Sequence, residues 1–210
     1  MRKLLALCLA MLLCGGIYAC GTSVGDTIRF GGMRWHVLEL RDGRALLISE
    51  EIIALDTYCN VFEAATWEES DIRRWLNDEF YNQFSQRDQV RIAQTHVINH
   101  DNPWYGTAGG NDTTDHIFLL SLEEAASWIG DGQWLRNGPP EPGVEYRIAF
   151  EQCISVRIAQ FNIKAESWWL RSPGANENAA ALVSNLGTLV VDGNSFPAIA
   201  GVRPALWLEL

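Results

Sequence analysis

The amino-acid sequence predicts an α+β domain, a mixed and mainly antiparallel sheet with packed helices and long loops over one face. Three observations predict it: apolar runs joined by glycine turns near the start, capping patterns ahead of apolar residues spaced three and four apart in the middle, and four strand-like runs near the end. Ile28-Arg29-Phe30, Met33 to Leu38 and Ala45 to Ile48 are separated by Gly31-Gly32 and Asp42-Gly43. Glycine accepts the positive φ of tight hairpins, so a three-stranded meander is expected. Thr66-Trp67-Glu69 has capping-box spacing, and Ile72, Trp75, Leu76 and Phe80 follow on one helical face. Ser85 to Asp88 repeats the spacing ahead of Val90 and Ile92, and Ser121 with Glu124 does so ahead of a helix ending at Ile129. Thr95 to Ile98 and Ile117 to Leu120 are short strands in this reading, and the stretch from Tyr146 to Phe161 is ambiguous. The closing strands are Ser167 to Arg171, Ala181 to Ser184, Leu189 to Val191 and Val202 to Leu208, with a hairpin at Asn185-Leu186-Gly187-Thr188. Two polar loops remain, Asn99 to Asp115 and Gly130 to Gly143, and long loops in a compact domain point to a functional surface.

Ahead of this domain lies a leader. Arg2-Lys3 precede an apolar run from Leu4 to Leu13, and Gly15, Gly16 and Ala19 lead to Cys20, the layout of a secretory signal peptide. The run is too short for a spanning helix, which needs about 20 apolar residues. Residues 1–19 are therefore expected to be a signal peptide, 20–24 a short tether and 25–210 a single globular domain. Ile17-Tyr18-Ala19-Cys20-Gly21 resembles the lipobox of bacterial lipoproteins, with Tyr18 in a position that usually holds a smaller residue. The resemblance implies lipidation of Cys20 and display on the outer face of a membrane. Cleavage with secretion and an uncleaved anchor stay open.

Loss of Arg2 and Lys3 leaves 14 of the 16 basic residues against 26 acids, a formal charge of −12. That balance argues against nucleic acid and anionic lipid, which need a basic face that releases counterions. About 190 residues bury roughly 70% of their unfolded surface, ample for one core. Nine tryptophans are many for that size. Most fit an irregular core, and any exposed ring would form a platform for a sugar or another flat ligand. Once the leader and Cys20 are set aside, Cys59 and Cys153 remain, so an exported chain has one disulfide open to it, with two buried thiols as the alternative.

Gly25-Asp26-Thr27-Ile28 with Trp35, the Thr66 to Asn77 segment, Tyr105-Gly106-Thr107 with Gly110-Asn111-Asp112, Phe118 to Ser121, Trp169-Leu170-Arg171-Ser172-Pro173-Gly174 and Gly201-Val202-Arg203-Pro204-Ala205-Leu206 together resemble a family of uncharacterised exported bacterial domains. The C-terminal half resembles the C-type-lectin-like fold of formylglycine-generating enzymes and retroelement-diversified receptors. That resemblance implies a ligand face framed by the Trp-Arg strand and the terminal Gly-x-Arg strand. The Glu-Pro-Asn and Trp-Asn-Asp signatures of calcium-dependent lectins do not occur, and Cys153 alone occupies the region where the oxidases carry a cysteine pair. Neither activity carries over.

The candidate ligand-binding residues are Trp104, Tyr105, Asn111, Asp112, Trp169, Arg171, Asn185 and Arg203. Strand alternation puts Trp169 and Arg171 on one face and Trp168 on the other. A rim platform and a core strand with Arg171 in a structural ion pair are both compatible with that pattern. Arg203 is expected to be buried against a loop carboxylate. Asn99, Asp101, Asn102, Asn111, Asp112 and Asp115 offer oxygen donors of the kind calcium prefers, without EF-hand spacing; Asx-turns that hold the loop are the competing reading. His96 and His100 lack a helix to align them as a metal pair. No Ser-His-Asp set, paired carboxylates or nucleophile elbow stands out. The expected function is a surface-displayed lipoprotein binding module for an extracellular glycan or protein, with no cofactor and no catalysis. An envelope-acting enzyme using Arg171 and Arg203 with a loop acid, and a structural subunit of an envelope complex, are the alternatives.

Overall fold

The computed structural model describes residues 21–60, 64–130, 135–136, 138 and 154–210. The expected meander forms: β1 (Thr27–Phe30), β2 (Met33–Arg41) and β3 (Arg44–Ser49) pair antiparallel in sequence order. Gly31, Gly32 and Gly43 take positive φ in the two turns. After β3 the chain leaves this sheet for β4 (Ala54–Thr57), the edge of a second one.

The next segment buries one stripe, as its spacing requires, but it is not one regular helix. A 3₁₀ turn at Trp67–Glu69 is followed by α1 (Asp71–Trp75), a π stretch at Leu76–Phe80 and a further 3₁₀ turn at Tyr81–Gln83. Ile72, Leu76 and Phe80 are buried. Glu69 accepts from the Thr66 amide at 3.2 Å, and Ser70 restarts the helix by accepting from the Arg73 amide at 3.2 Å. Ser85 caps α2 (Gln86–Gln89) in the same way. Then β5 (Thr95–Val97) pairs with β6 (Thr113–Asp115), so the end of the expected loop is strand. Ile117 to Leu120 is fully buried, yet it forms a bridge at Phe118 with Ala205 rather than a ladder. α3 (Leu122–Trp128) carries the predicted reciprocal cap, with the Glu124 amide donating to Ser121 Oγ at 3.1 Å and the Ser121 amide to Glu124 Oε2 at 2.9 Å.

The ambiguous stretch resolves, where described, into α4 (Ile154–Arg157) and the small hairpin of β7 (Ala159–Phe161) and β8 (Lys164–Glu166). β9 (Trp168–Pro173), β10 (Ala179–Val183) and β11 (Leu189–Ser195) follow, all near the expected positions. The expected single strand from Val202 to Leu208 is two strands. β12 (Ile199–Val202) lies parallel to β9 in the second sheet, and β13 (Ala205–Glu209) closes the first sheet against β3. Pro204 explains the break, since proline cannot donate to a ladder and restricts the residue before it.

The result is a mixed α+β architecture with a four-stranded antiparallel sheet, β1-β2-β3-β13, and a five-stranded sheet, β11-β10-β9-β12-β4, whose one parallel pair is β12 with β9. One hydrophobic cluster takes residues from both sheets and from the helices. The chain crosses between sheets twice, at Glu50–Ile53 and at Arg203–Pro204, and the crossings run side by side: the Ser49 amide donates to Pro204 O at 2.9 Å and the Ile53 amide to Val202 O at 3.0 Å.

Candidate functional site

Of the candidate ligand-binding residues, Trp169, Arg171 and Arg203 are inside the protein, as is Trp168 on the other face of the same strand, so the rim platform does not form. Trp168 and Trp169 have no exposed surface, and their indole N–H groups donate to Arg157 O at 2.8 Å and Asp56 O at 3.0 Å. A central strand covered on both faces buries both sides of its alternation. Arg171, 4% exposed, forms a two-pronged ion pair with Glu124 and donates to Leu119 O at 2.8 Å and Ile98 O at 3.2 Å. The structural ion pair is therefore the reading that holds. Glu124 thus serves twice, capping α3 and neutralising β9.

Arg203 is buried as expected, but against backbone rather than a carboxylate. Its guanidinium donates to Ser49 O at 2.9 Å and Val156 O at 2.5 Å, and stands 4.9 Å from the Trp168 ring centroid. Desolvation pushes its pKa down to about 9, with Glu50 opposing the change. Burial also pushes the Tyr58 phenol well above its usual value; its hydroxyl donates to Arg171 O at 3.0 Å. Neither arginine faces solvent.

The exposed face lies elsewhere. Asn102, 1% exposed, is its anchor. Its side-chain amide donates to Pro173 O at 2.8 Å and Val191 O at 2.9 Å, while its Oδ1 accepts from the amides of Trp104 at 2.9 Å and Tyr105 at 3.2 Å. The backbone closes the turn, with Asn102 N donating to Thr107 O at 2.8 Å and Gly106 N to Asn102 O at 2.9 Å. One buried asparagine thus pins the Tyr105 loop to the end of β9 and the body of β11. The facing turn, Gly174 to Asn178, is equally held: Gly174 N donates to Ala179 O at 2.7 Å and Ala175 N to Asp192 O at 2.8 Å.

Between the two lies a groove of about 670 Å³ lined by Tyr105, Gly106, Thr107, Asn176, Glu177 and Asn178, among others. Tyr105 is 47% exposed and is one of the large apolar side chains left on the surface. Its neighbour Trp104 is half-buried against the core and donates to Leu135 O at 2.8 Å. Of the eight candidate residues, then, the structure brings Tyr105 to the groove. Asn111 and Asp112 are exposed on the outer side of the same loop, where Asn111 donates to Glu68 Oε2 at 2.9 Å and Asp112 accepts from the Asn99 amide at 3.0 Å. Asn185 sits at the opposite end of β10, so five strand residues, roughly 16 Å at about 3.3 Å each, separate it from the groove.

The loop acids hold backbone and neighbouring side chains. Asp101 accepts from the Gly109 amide at 3.0 Å, and Asp115 takes Trp67 Nε1 at 2.9 Å, the Thr113 hydroxyl at 2.7 Å and Arg73 Nε at 2.7 Å. Among the described residues no group of three or more His, Cys, Asp or Glu is placed to hold a metal. His96 reaches Asp112 at 3.4 Å. Cys59 is a buried thiol, and Cys153 lies outside the described residues, as do Cys20 and most of the Gly130 to Gly143 loop. No helix among the described residues is long and apolar enough to cross a membrane.

A family model described as a domain of unknown function, DUF6273, matches residues 42–210. The chain belongs to that family. The match takes in both walls of the groove and every strand from β3 onward, while β1 and β2 precede it. No curated protein and no solved structure matches the chain.

The groove residues that sequence reasoning missed are those of the Asn176-Glu177-Asn178 turn, while Asn102, named in sequence among the loop's oxygen donors, takes the Asx-turn role by accepting from the Trp104 amide. The burial of Asn102 has no local signal, because it comes from a loop folding onto strands whose contact residues are 71 and 89 positions away. The turn's signal was composition, Pro-Gly-Ala-Asn-Glu-Asn, which marks a loop without saying what it faces.

Proposed function

We propose that this DUF6273 domain is a binding module that holds an extracellular glycan, with a protein segment as the alternative ligand, in the groove beside Tyr105. The observation that carries the reading is a half-exposed tyrosine at a groove whose loop is fixed by buried Asn102. A rigid aromatic face supplies contact at low entropic cost, and the amide, hydroxyl and backbone groups around it supply hydrogen bonds. Asn176, Asn178, Thr107 and Glu177 are that polar set. The acidic balance of the chain disfavours polyanionic ligands. Export, with a lipid on Cys20 holding the domain at the outer membrane face, gives the groove its extracellular setting, and the C-type-lectin-like reading of the C-terminal half belongs to the same proposal.

A panel of soluble glycans and cell-wall fragments tests the groove. The parent should bind at least one neutral oligosaccharide, and Tyr105→Ala should weaken that binding about tenfold or more, as loss of a central aromatic contact does. Binding that survives Tyr105→Ala unchanged would place the ligand elsewhere. The tether is tested separately: Cys20→Ser should release the protein from membranes or leave it unprocessed, and a variant that fractionates and migrates like the parent refutes lipidation.

A further inference from the structure

A second pocket, of about 390 Å³, lies where the β1–β2 hairpin meets the Glu50–Ile53 crossover. β1 and β2 set Arg29 directly opposite Arg34. Side chains opposed on antiparallel strands leave the same face, and like charges there repel. Arg34 is neutralised, with its Nε 2.5 Å from Glu50 Oε2 and its Nη2 3.5 Å from Glu51 Oε1. Arg29 is exposed and has no ion pair among the described residues. Glu51 holds Arg34 only at 3.5 Å and its side chain is 65% exposed, so most of its acceptor capacity is unused. Met33, Ile52 and Ile53 add apolar lining to the same pocket. Beneath it, buried Arg203 ties down Ser49 O at 2.9 Å and Glu50 O at 3.5 Å, which fixes the backbone that carries both glutamates.

We propose that this pocket binds a small zwitterion, a free α-amino acid with an apolar side chain. The uncommitted Arg29 takes the carboxylate, for which a planar guanidinium offers two parallel donors. Glu51 takes the ammonium group, and Met33, Ile52 and Ile53 cover the side chain. A dianion such as phosphate is disfavoured, because Glu50 and Glu51 stand at the same opening. The volume falls at the small end of ligand sites, suited to one amino acid. This site is separate from the Tyr105 groove and does not depend on it.

Calorimetric titration of the purified protein with leucine, methionine and phenylalanine tests the assignment, using N-acetyl-leucine, leucinamide and inorganic phosphate as controls. At least one free amino acid should bind saturably. N-acetyl-leucine and leucinamide, each lacking one charge, should bind at least tenfold more weakly than leucine. Arg29→Ala and Glu51→Gln should each lose tenfold or more while unfolding at the parent's temperature or above it, and Tyr105→Ala should bind like the parent. No saturable binding by any of the three amino acids, equal binding of a capped analogue, or full affinity in Arg29→Ala would overturn the proposal.

Discussion

Substituting Glu124 by glutamine asks what the buried Arg171 charge costs without its partner. The substituted amide retains a side-chain oxygen able to accept from the Ser121 amide, so the α3 cap survives in a form helices accept. What goes is the negative charge held against a guanidinium whose side chain is 3% exposed. Breaking a buried pair by removing one partner costs about 3–5 kcal/mol. The Glu124 side chain is 26% exposed, so some screening applies and the low end, about 3 kcal/mol, is expected. In a domain of this size that lowers the melting temperature by roughly 6–12 °C. Arg171→Met removes the charge that needs neutralising and sacrifices the hydrogen bonds to Leu119 O and Ile98 O, about 1–3 kcal/mol. The double variant should then be no less stable than Arg171→Met alone, a coupling of about 2–3 kcal/mol. Urea unfolding of the four proteins gives the cycle. Additive costs, with the double variant less stable than the parent by the sum of the two single costs, would show that the Glu124 charge does not stabilise Arg171.

The remaining predictions concern the groove anchor, a glycine bulge and acid stability. Asn102→Ala removes four hydrogen bonds and should cost about 2–4 kcal/mol in chemical unfolding while also weakening any ligand that depends on Tyr105; normal stability would mean the loop is held by something else. Gly193, at φ +73°, lies in the irregular β10–β11 ladder, and a Cβ there would stand 2.2 Å from Ala180 O. Gly193→Ala should therefore cost about 1–3 kcal/mol, read by thermal melting, and a neutral result would refute the close approach. Burial first, then Arg203, lowers the His36 pKa below its ordinary 6.5. The unfolded chain therefore takes up the proton first, so stability should be full above pH 6.5 and decline as pH falls toward the folded value. His36→Gln should flatten that part of a pH-dependent unfolding series, and an unchanged slope would assign it to other groups. Asp71, whose carboxyl the Asn60 amide holds low at 2.8 Å, adds stability that is lost at more acidic pH.

Local signals were legible wherever one short segment decides its own conformation. The glycine turns of the meander, the Ser85 and Ser121 caps and the β10–β11 hairpin all depend on residues within a few positions of one another, and each formed where its chemistry requires. The Trp67 to Gln83 segment shows the limit: its buried stripe is readable, but neither its division into 3₁₀, α and π turns nor the contacts of Trp67 and Arg73 with Asp115, 48 and 42 residues on, is written in the spacing. The Arg171 alternatives could not be separated by alternation, because a strand covered on both faces has no rim.

By itself, then, the sequence determined the α+β class, the order of most elements and a loop-rich surface containing Tyr105, because these follow from periodicity and turn chemistry. The tertiary structure alone decided that Val202 to Leu208 divides between two sheets, that Trp169, Arg171 and Arg203 are interior, that Asn185 lies a strand length from the groove, and that Asn102 builds it. All four depend on which distant segments pack together, and such pairing is set by burial of the whole chain rather than by any short local pattern.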